Sequence, residues 1–152
     1  METYHKKTKY FLHQGLFDAI TSFEEFEGRI ESLDSKQDKG DAFEVFAQAY
    51  LATLKIVQAK AVWAFDDIPQ QIMSNLSIDT HIDMGVDGVF EMNTGEQCAY
   101  QVKFRTGRPY LTWTEISTFM GLSRKARART SSNSRRSCAA GMYGASSIMG
   151  CL

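Results

Sequence analysis

Cysteine, long apolar runs and a surplus of basic charge are all scarce in this 152-residue chain. Its three cysteines, Cys98, Cys138 and Cys151, are too few and too scattered for a disulfide framework or a cysteine-built zinc site. No apolar stretch approaches the roughly 20 residues that a membrane-spanning helix needs. The segment "METYHKKTKYFLHQG" is basic but lacks the apolar centre of a secretory signal, so a cytoplasmic protein is the default expectation. No internal repeat is found, and no phosphate-binding loop of an ATP-driven motor. What remains is ordinary for one soluble globular domain: 43% hydrophobic and 23% charged residues, with length enough to bury a core.

The net charge of −1 conceals an uneven distribution. Residues 1–120 carry 11 Lys and Arg against 18 Asp and Glu, a balance of −7, whereas residues 121–152 carry six basic side chains and no acid. The texture changes there too, to the Ser-, Arg- and Gly-rich "SRKARARTSSNSRRSCAAGMYGASSIMGCL". Two readings compete for this stretch. One is a disordered basic tail that brushes nucleic acid non-specifically; the other is non-native, frame-shifted sequence beginning near Arg124. Either way the chain divides into a domain over 1–122 and a tail over 123–152.

Within the domain, "TSFEEFEGRIESL" spaces Phe23, Phe26, Ile30 and Leu33 as one apolar stripe of a helix, and Ser22 with Glu25 fits a capping box. "DSKQDKG" reads as a break. A second helix is then expected from about Asp41, its N-cap, to Ala61, with Phe43, Phe46, Ala47, Tyr50, Leu51, Leu54, Val57 and Ala61 facing the core. Glu44 lies on the edge of that stripe, an awkward place for a merely solubilising acid. Pro69 interrupts a loop with a short helical turn. Strands are expected at about 86–92 and 98–104, and a last helix at about 112–122 with Trp113, Ile116, Phe119 and Met120 on one face.

The hairpin is the informative stretch: "GVDGVFEMNTGEQCAYQVKFR". Thr94 resists the left-handed geometry of a two-residue hairpin turn, whereas a three-residue loop, Asn93-Thr94-Gly95, needs it only at glycine. That loop pairs Met92 with Glu96 and so predicts Asp87 opposite Gln101, with Lys103 on the same face. Such a polar cluster costs several kcal/mol if buried unpaired, of the order of a domain's whole stability. A divalent cation reverses the balance. Asp87 can ligate it, with the Gln101 side-chain oxygen, the main chain at Val102 and Glu44 completing a shell for Mg²⁺.

"GVDGV" followed after a hairpin by "QVK" resembles the signature of the PD-(D/E)XK nucleases, and glutamine in place of the usual acid is similar to the variant of Mrr-like restriction endonucleases. "KGDAFEVFAQAYL" resembles the helix that carries that group's additional acid, and the likeness spans residues 39–122. It implies an α/β, restriction-endonuclease-like fold with a mixed central sheet flanked by helices, and metal-dependent hydrolysis of double-stranded DNA with Mg²⁺ or Mn²⁺. Asp87 would be the bridging metal ligand, Gln101 a weaker one, Glu44 a holder of the metal or its water, and Lys103 the group that orients or helps deprotonate the attacking water. Modules of this kind precede helicase motors in larger restriction enzymes, so such a translocase is an implied partner.

Blander readings stand beside each of these. The hairpin cluster can be a solvated sheet face, and Glu44 a helix-edge acid paired to a lysine. Asp83 and His81 can be loop residues, and Arg105 and Arg108 a solvated loop after the motif strand. His5 and His13 have no partner spacing. A catalytically inactive nuclease-fold module for DNA or protein binding is the alternative function.

Overall fold

The computed structural model describes residues 4–55, 57–79, 81 and 85–105, and the backbone of 142–144 and 147–149. The expected helix at 112–122, together with Asp83, Arg108, Trp113 and Phe119, lies outside these.

Helix α1 (Thr8–His13), which periodicity did not reveal, is short and anchored by the fully buried Phe11. Helix α2 (Phe23–Glu31) starts where the capping pattern placed it: the Ser22 hydroxyl accepts the Glu25 N–H at 3.1 Å. The reciprocal half of the box is displaced by one residue, because the Glu25 carboxylate accepts from the N–H and hydroxyl of Thr21. Phe26 and Ile30 are buried, with Phe23 and Leu33 packed at their margins.

Helix α3 (Lys36–Thr53) departs from expectation at both ends. Its N-cap is Ser35, whose hydroxyl accepts the Asp38 N–H at 2.9 Å and donates to the Asp38 carboxylate at 2.8 Å. "DSKQDKG" is therefore a helix start, since Ser followed three residues later by Asp does the work of a capping box. Asp41, expected to cap, lies inside the second turn. The helix stops at Thr53, and Ala59–Ala61, the end of the expected helix, belong instead to strand β1 (Ala59–Ala64). An apolar run such as "AVWAF" satisfies both periods, and here the sheet wins. Gln58 makes the corner with φ +48°.

A 3₁₀ turn (Phe65–Asp67) and helix α4 (Gln70–Leu76), begun after Pro69, lead to strands β2 (Gly88–Met92) and β3 (Gln97–Tyr100). The sheet order is β1-β2-β3, and β2 runs antiparallel to both of its neighbours. Two further segments, β4 (Met142–Gly144) and β5 (Ser147–Met149), pair antiparallel with each other.

Alternation along β2 and β3 divides the core in two. Phe90, Cys98, Tyr100 and Val102 join Phe11, Phe26, Ile30, Phe43 and Leu51 on the side of α1–α3. Val89 and Ala99 face the other way, against Ile72 and Leu76 of α4. The sheet is thus flanked by helices on both faces, as an α/β fold requires. The hairpin closes as turn chemistry dictates: Gly95 takes φ +84°, Met92 donates to the Glu96 carbonyl at 2.8 Å, and Glu91, Phe90, Val89 and Gly88 pair with Gln97, Cys98, Ala99 and Tyr100.

Gly88 is required by close approach. A Cβ there would collide with the Trp63 carbonyl on one side and the Tyr100 phenol on the other. The carbonyl is fixed in the β1–β2 ladder, so neither neighbour moves freely. Gly88→Ala is expected to destabilise the fold by about 1–3 kcal/mol, seen as a lower urea midpoint; a midpoint equal to wild type would contradict this crowding.

Candidate active site

Helix α3 packs its Phe43, Ala47 and Leu51 into the core, which leaves Glu44 beside Phe43 at the rim, with 29% of its side chain exposed. There it meets a residue that spacing gave no reason to choose. His5 is buried, and its Nε2 lies 3.4 Å from Glu44 Oε2. The residue is held on other sides as well: the main-chain N–H of His5 donates to Gln48 Oε1 at 2.8 Å, and the ring Nδ1 accepts the Lys7 N–H at 3.2 Å. Asp41, one turn before Glu44, completes a group in which one ligand atom from each of His5, Asp41 and Glu44 lies within 4.8 Å of the others. Asp41 Oδ2 is buried without a hydrogen-bond partner among the described residues. Burial, and then the charge of Glu44, push the Asp41 carboxyl above the ordinary aspartate range.

Asp87 is placed by a defect in the ladder. The pairing is regular as far as Gly88 and Tyr100, but the Asp87 N–H also donates to the Tyr100 carbonyl, at 3.0 Å, while the Asp87 carbonyl accepts from Phe65 of the adjoining segment. Asp87 and Gly88 thus both face Tyr100, the arrangement of a β-bulge. One residue beyond, the Val102 N–H would ordinarily find the Val86 carbonyl; it donates instead to Asp87 Oδ2, at 2.5 Å. The carboxylate stands in for a ladder carbonyl in the gap between the strands. The expectation that Asp87 lies opposite Gln101 is corrected accordingly: the register holds through the hairpin and slips by one at the aspartate.

Burial first, then the charges of Asp87 and Glu44, push the Tyr100 phenol up, so it stays protonated. Gln101 is 5% exposed, and its amide rests on Gly85, where a Cβ would come 2.5 Å from Nε2. Gly85 also has φ +66°, so two constraints select glycine there. Cys98, Tyr100 and Val102 all enter the core on the side of α1–α3, and Gln101 and Lys103 alternate with them. Lys103 is half-buried and makes no hydrogen bond or ion pair with Asp87 or Glu44 among the described residues. His81 is exposed and bonds through its N–H to Asp79.

A family model described as restriction endonuclease, Mrr_cat_2, matches residues 52–137, more than half of the chain. The chain belongs to this restriction endonuclease family, whose members are DNA-cleaving nucleases. No curated protein and no solved structure matches. The matched segment contains Asp87, Gln101 and Lys103; Glu44, Asp41 and His5 precede it.

The donors suit a divalent cation. Carboxylate oxygens predominate, and Asp41 Oδ2 is buried without a hydrogen-bond partner among the described residues. Without such an ion Asp41 is a liability, and its raised pKa gives the sign. Above the folded pKa, folded and unfolded chains are both ionised and the penalty is complete. It shrinks as pH falls through the folded pKa, and vanishes below the ordinary aspartate value. In chelator, Asp41→Asn is therefore expected to raise the thermal midpoint at pH 7, with the gain over wild type fading toward pH 3; a gain independent of pH would exclude this origin.

Proposed function

We propose that the domain is a metal-dependent DNA endonuclease that hydrolyses phosphodiester bonds of double-stranded DNA, as part of a restriction or related DNA-defence system. The observation that carries this reading is the match of residues 52–137 to a restriction endonuclease family, in a chain where Asp87 is held by the Val102 N–H. Asp87 and Glu44 would hold Mg²⁺ or Mn²⁺, with Gln101 and the main chain at Val102 as weaker oxygen ligands. When bound, the cation lowers the pKa of the attacking water and neutralises charge on the phosphoryl oxygen.

The chain's own groups supply the rest. Asp87 keeps its carboxylate fixed through the Val102 N–H, so little reorganisation is left for the reaction itself. The protonated Tyr100 phenol adds a neutral, low-mobility wall beside two acids. Lys103 would bring a positive charge to the phosphate and help orient the attacking water. A helicase or translocase module in the parent protein and a cytoplasmic setting belong to the same proposal.

A second reading has one observation in its favour. The Gln101 amide is packed over Gly85, where a Cβ would come 2.5 Å from Nε2. That arrangement suits an inactive nuclease-fold module that binds DNA or protein. Supercoiled plasmid with Mg²⁺ or Mn²⁺ decides between them. The nuclease reading expects nicked and linear products, and a rate roughly 10²–10³-fold lower in Asp87→Ala and in Lys103→Ala. An uncut plasmid, with DNA binding that calorimetry finds indifferent to metal, would establish the inactive module instead.

A further inference from the structure

His5, Asp41 and Glu44 form a group of their own, and only Glu44 belongs to the nuclease proposal. Three observations bear on what they do. One ligand atom from each lies within 4.8 Å of the other two, a spread that a single ion can span. Asp41 Oδ2 is buried and without a hydrogen-bond partner among the described residues, next to a second carboxylate. His5 is itself more than nine-tenths buried and aims a ring nitrogen at Glu44. A protein that wanted only a stable helix edge would leave no orphaned carboxylate oxygen here, because removing the charge costs nothing in packing.

We propose that His5, Asp41 and Glu44 bind one first-row divalent cation, of the Mn²⁺ type, at a position distinct from that of Asp87. Two carboxylate oxygens and one imidazole favour such an ion over Mg²⁺, which prefers an all-oxygen shell. Because Nδ1 accepts from Lys7, the neutral ring carries its proton on Nε2. Coordination through Nε2 moves that proton to Nδ1 and gives up the Lys7 contact, a single bond within one local turn. In return the ion satisfies Asp41 Oδ2 and screens two like charges from each other. The partly exposed Glu44 side chain offers a way in from solvent.

The inference rests on the nuclease reading only through the shared Glu44, and its test avoids that residue. The whole chain is titrated with Mn²⁺ and the free ion followed by electron paramagnetic resonance, with thermal midpoints in chelator as the folding control. Asp87→Ala is expected to retain an ion at this site, whereas Asp41→Asn and His5→Gln each weaken its binding about ten-fold or more. Asp41→Asn should do so while raising the midpoint in chelator, a combination that a purely structural role does not give. Should His5→Gln fail to fold, Asp41→Asn decides alone. Titrations of both variants that overlay wild type, or binding lost in Asp87→Ala only, overturn the proposal. Plasmid left uncut by every chain, with Mn²⁺ binding still lost in Asp41→Asn, removes the nuclease reading and leaves this site standing.

Discussion

Two consecutive residues of one strand, Asp87 and Gly88, share a single partner, Tyr100, and the geometry of the site follows from that mismatch. A regular ladder would carry Val102 onto the Val86 carbonyl and leave Asp87 projecting from the sheet face. The bulge instead puts the carboxylate into the plane of the hydrogen bonds, where a backbone N–H holds it. Glycine on one side of the bulge gives Tyr100 its place, and glycine at 85 accommodates the Gln101 amide. The short phrase "GVDG" is thus a backbone instruction as much as a chemical one. Its glycines shape the space into which its aspartate is delivered.

Charge bears on the proposed cation. Asp41 and Glu44 sit together on a body whose first 120 residues carry seven more acids than bases, while the substrate of a DNA nuclease is a polyanion. Phosphate neutralisation supplies most non-specific affinity for DNA, and these carboxylates would oppose it. Lys6, whose own pKa is raised by its bond to Asp66 and more weakly by Asp41 and Glu44, is too exposed to compensate. A divalent ion held between carboxylates converts the same acids from a repulsive surface into a phosphate-attracting one.

The legible part of the fold was whatever local chemistry decides. The Asn93-Thr94-Gly95 loop fixed the hairpin register, the Ser22 cap fixed the start of α2, and Glu44 stood out because it sat wrongly on an otherwise apolar stripe. The illegible part was decided by partners distant in the chain. The first half of strand β1 reads as the end of a helix because its apolar residues fit both periods until β2 is there to pair with it. His5 carries no local signal; it matters because α1 packs against α3 and brings residue 5 to residue 44. Asp41 was assigned to capping although it shares a helix face with Glu44 at a spacing of three, a signal that was present and outweighed by the cap rule.

The family match begins at residue 52, inside the last turn of α3, so it covers strands β1–β3 and omits the helix acids. This division has a structural sense. The hairpin carries residues whose placement depends on hydrogen-bond register, which tolerates no slip without turning side chains to the wrong face. The helix delivers its acids by packing, through Phe43, Ala47 and Leu51 against the sheet, and a packed helix can present an acid from any of several positions on its rim. Register therefore preserves a recognisable pattern in the strands, whereas the helical contribution is defined only by where its carboxylates end up. In this chain they end up as a pair, Asp41 and Glu44, one turn apart on α3 and backed by the buried imidazole of His5.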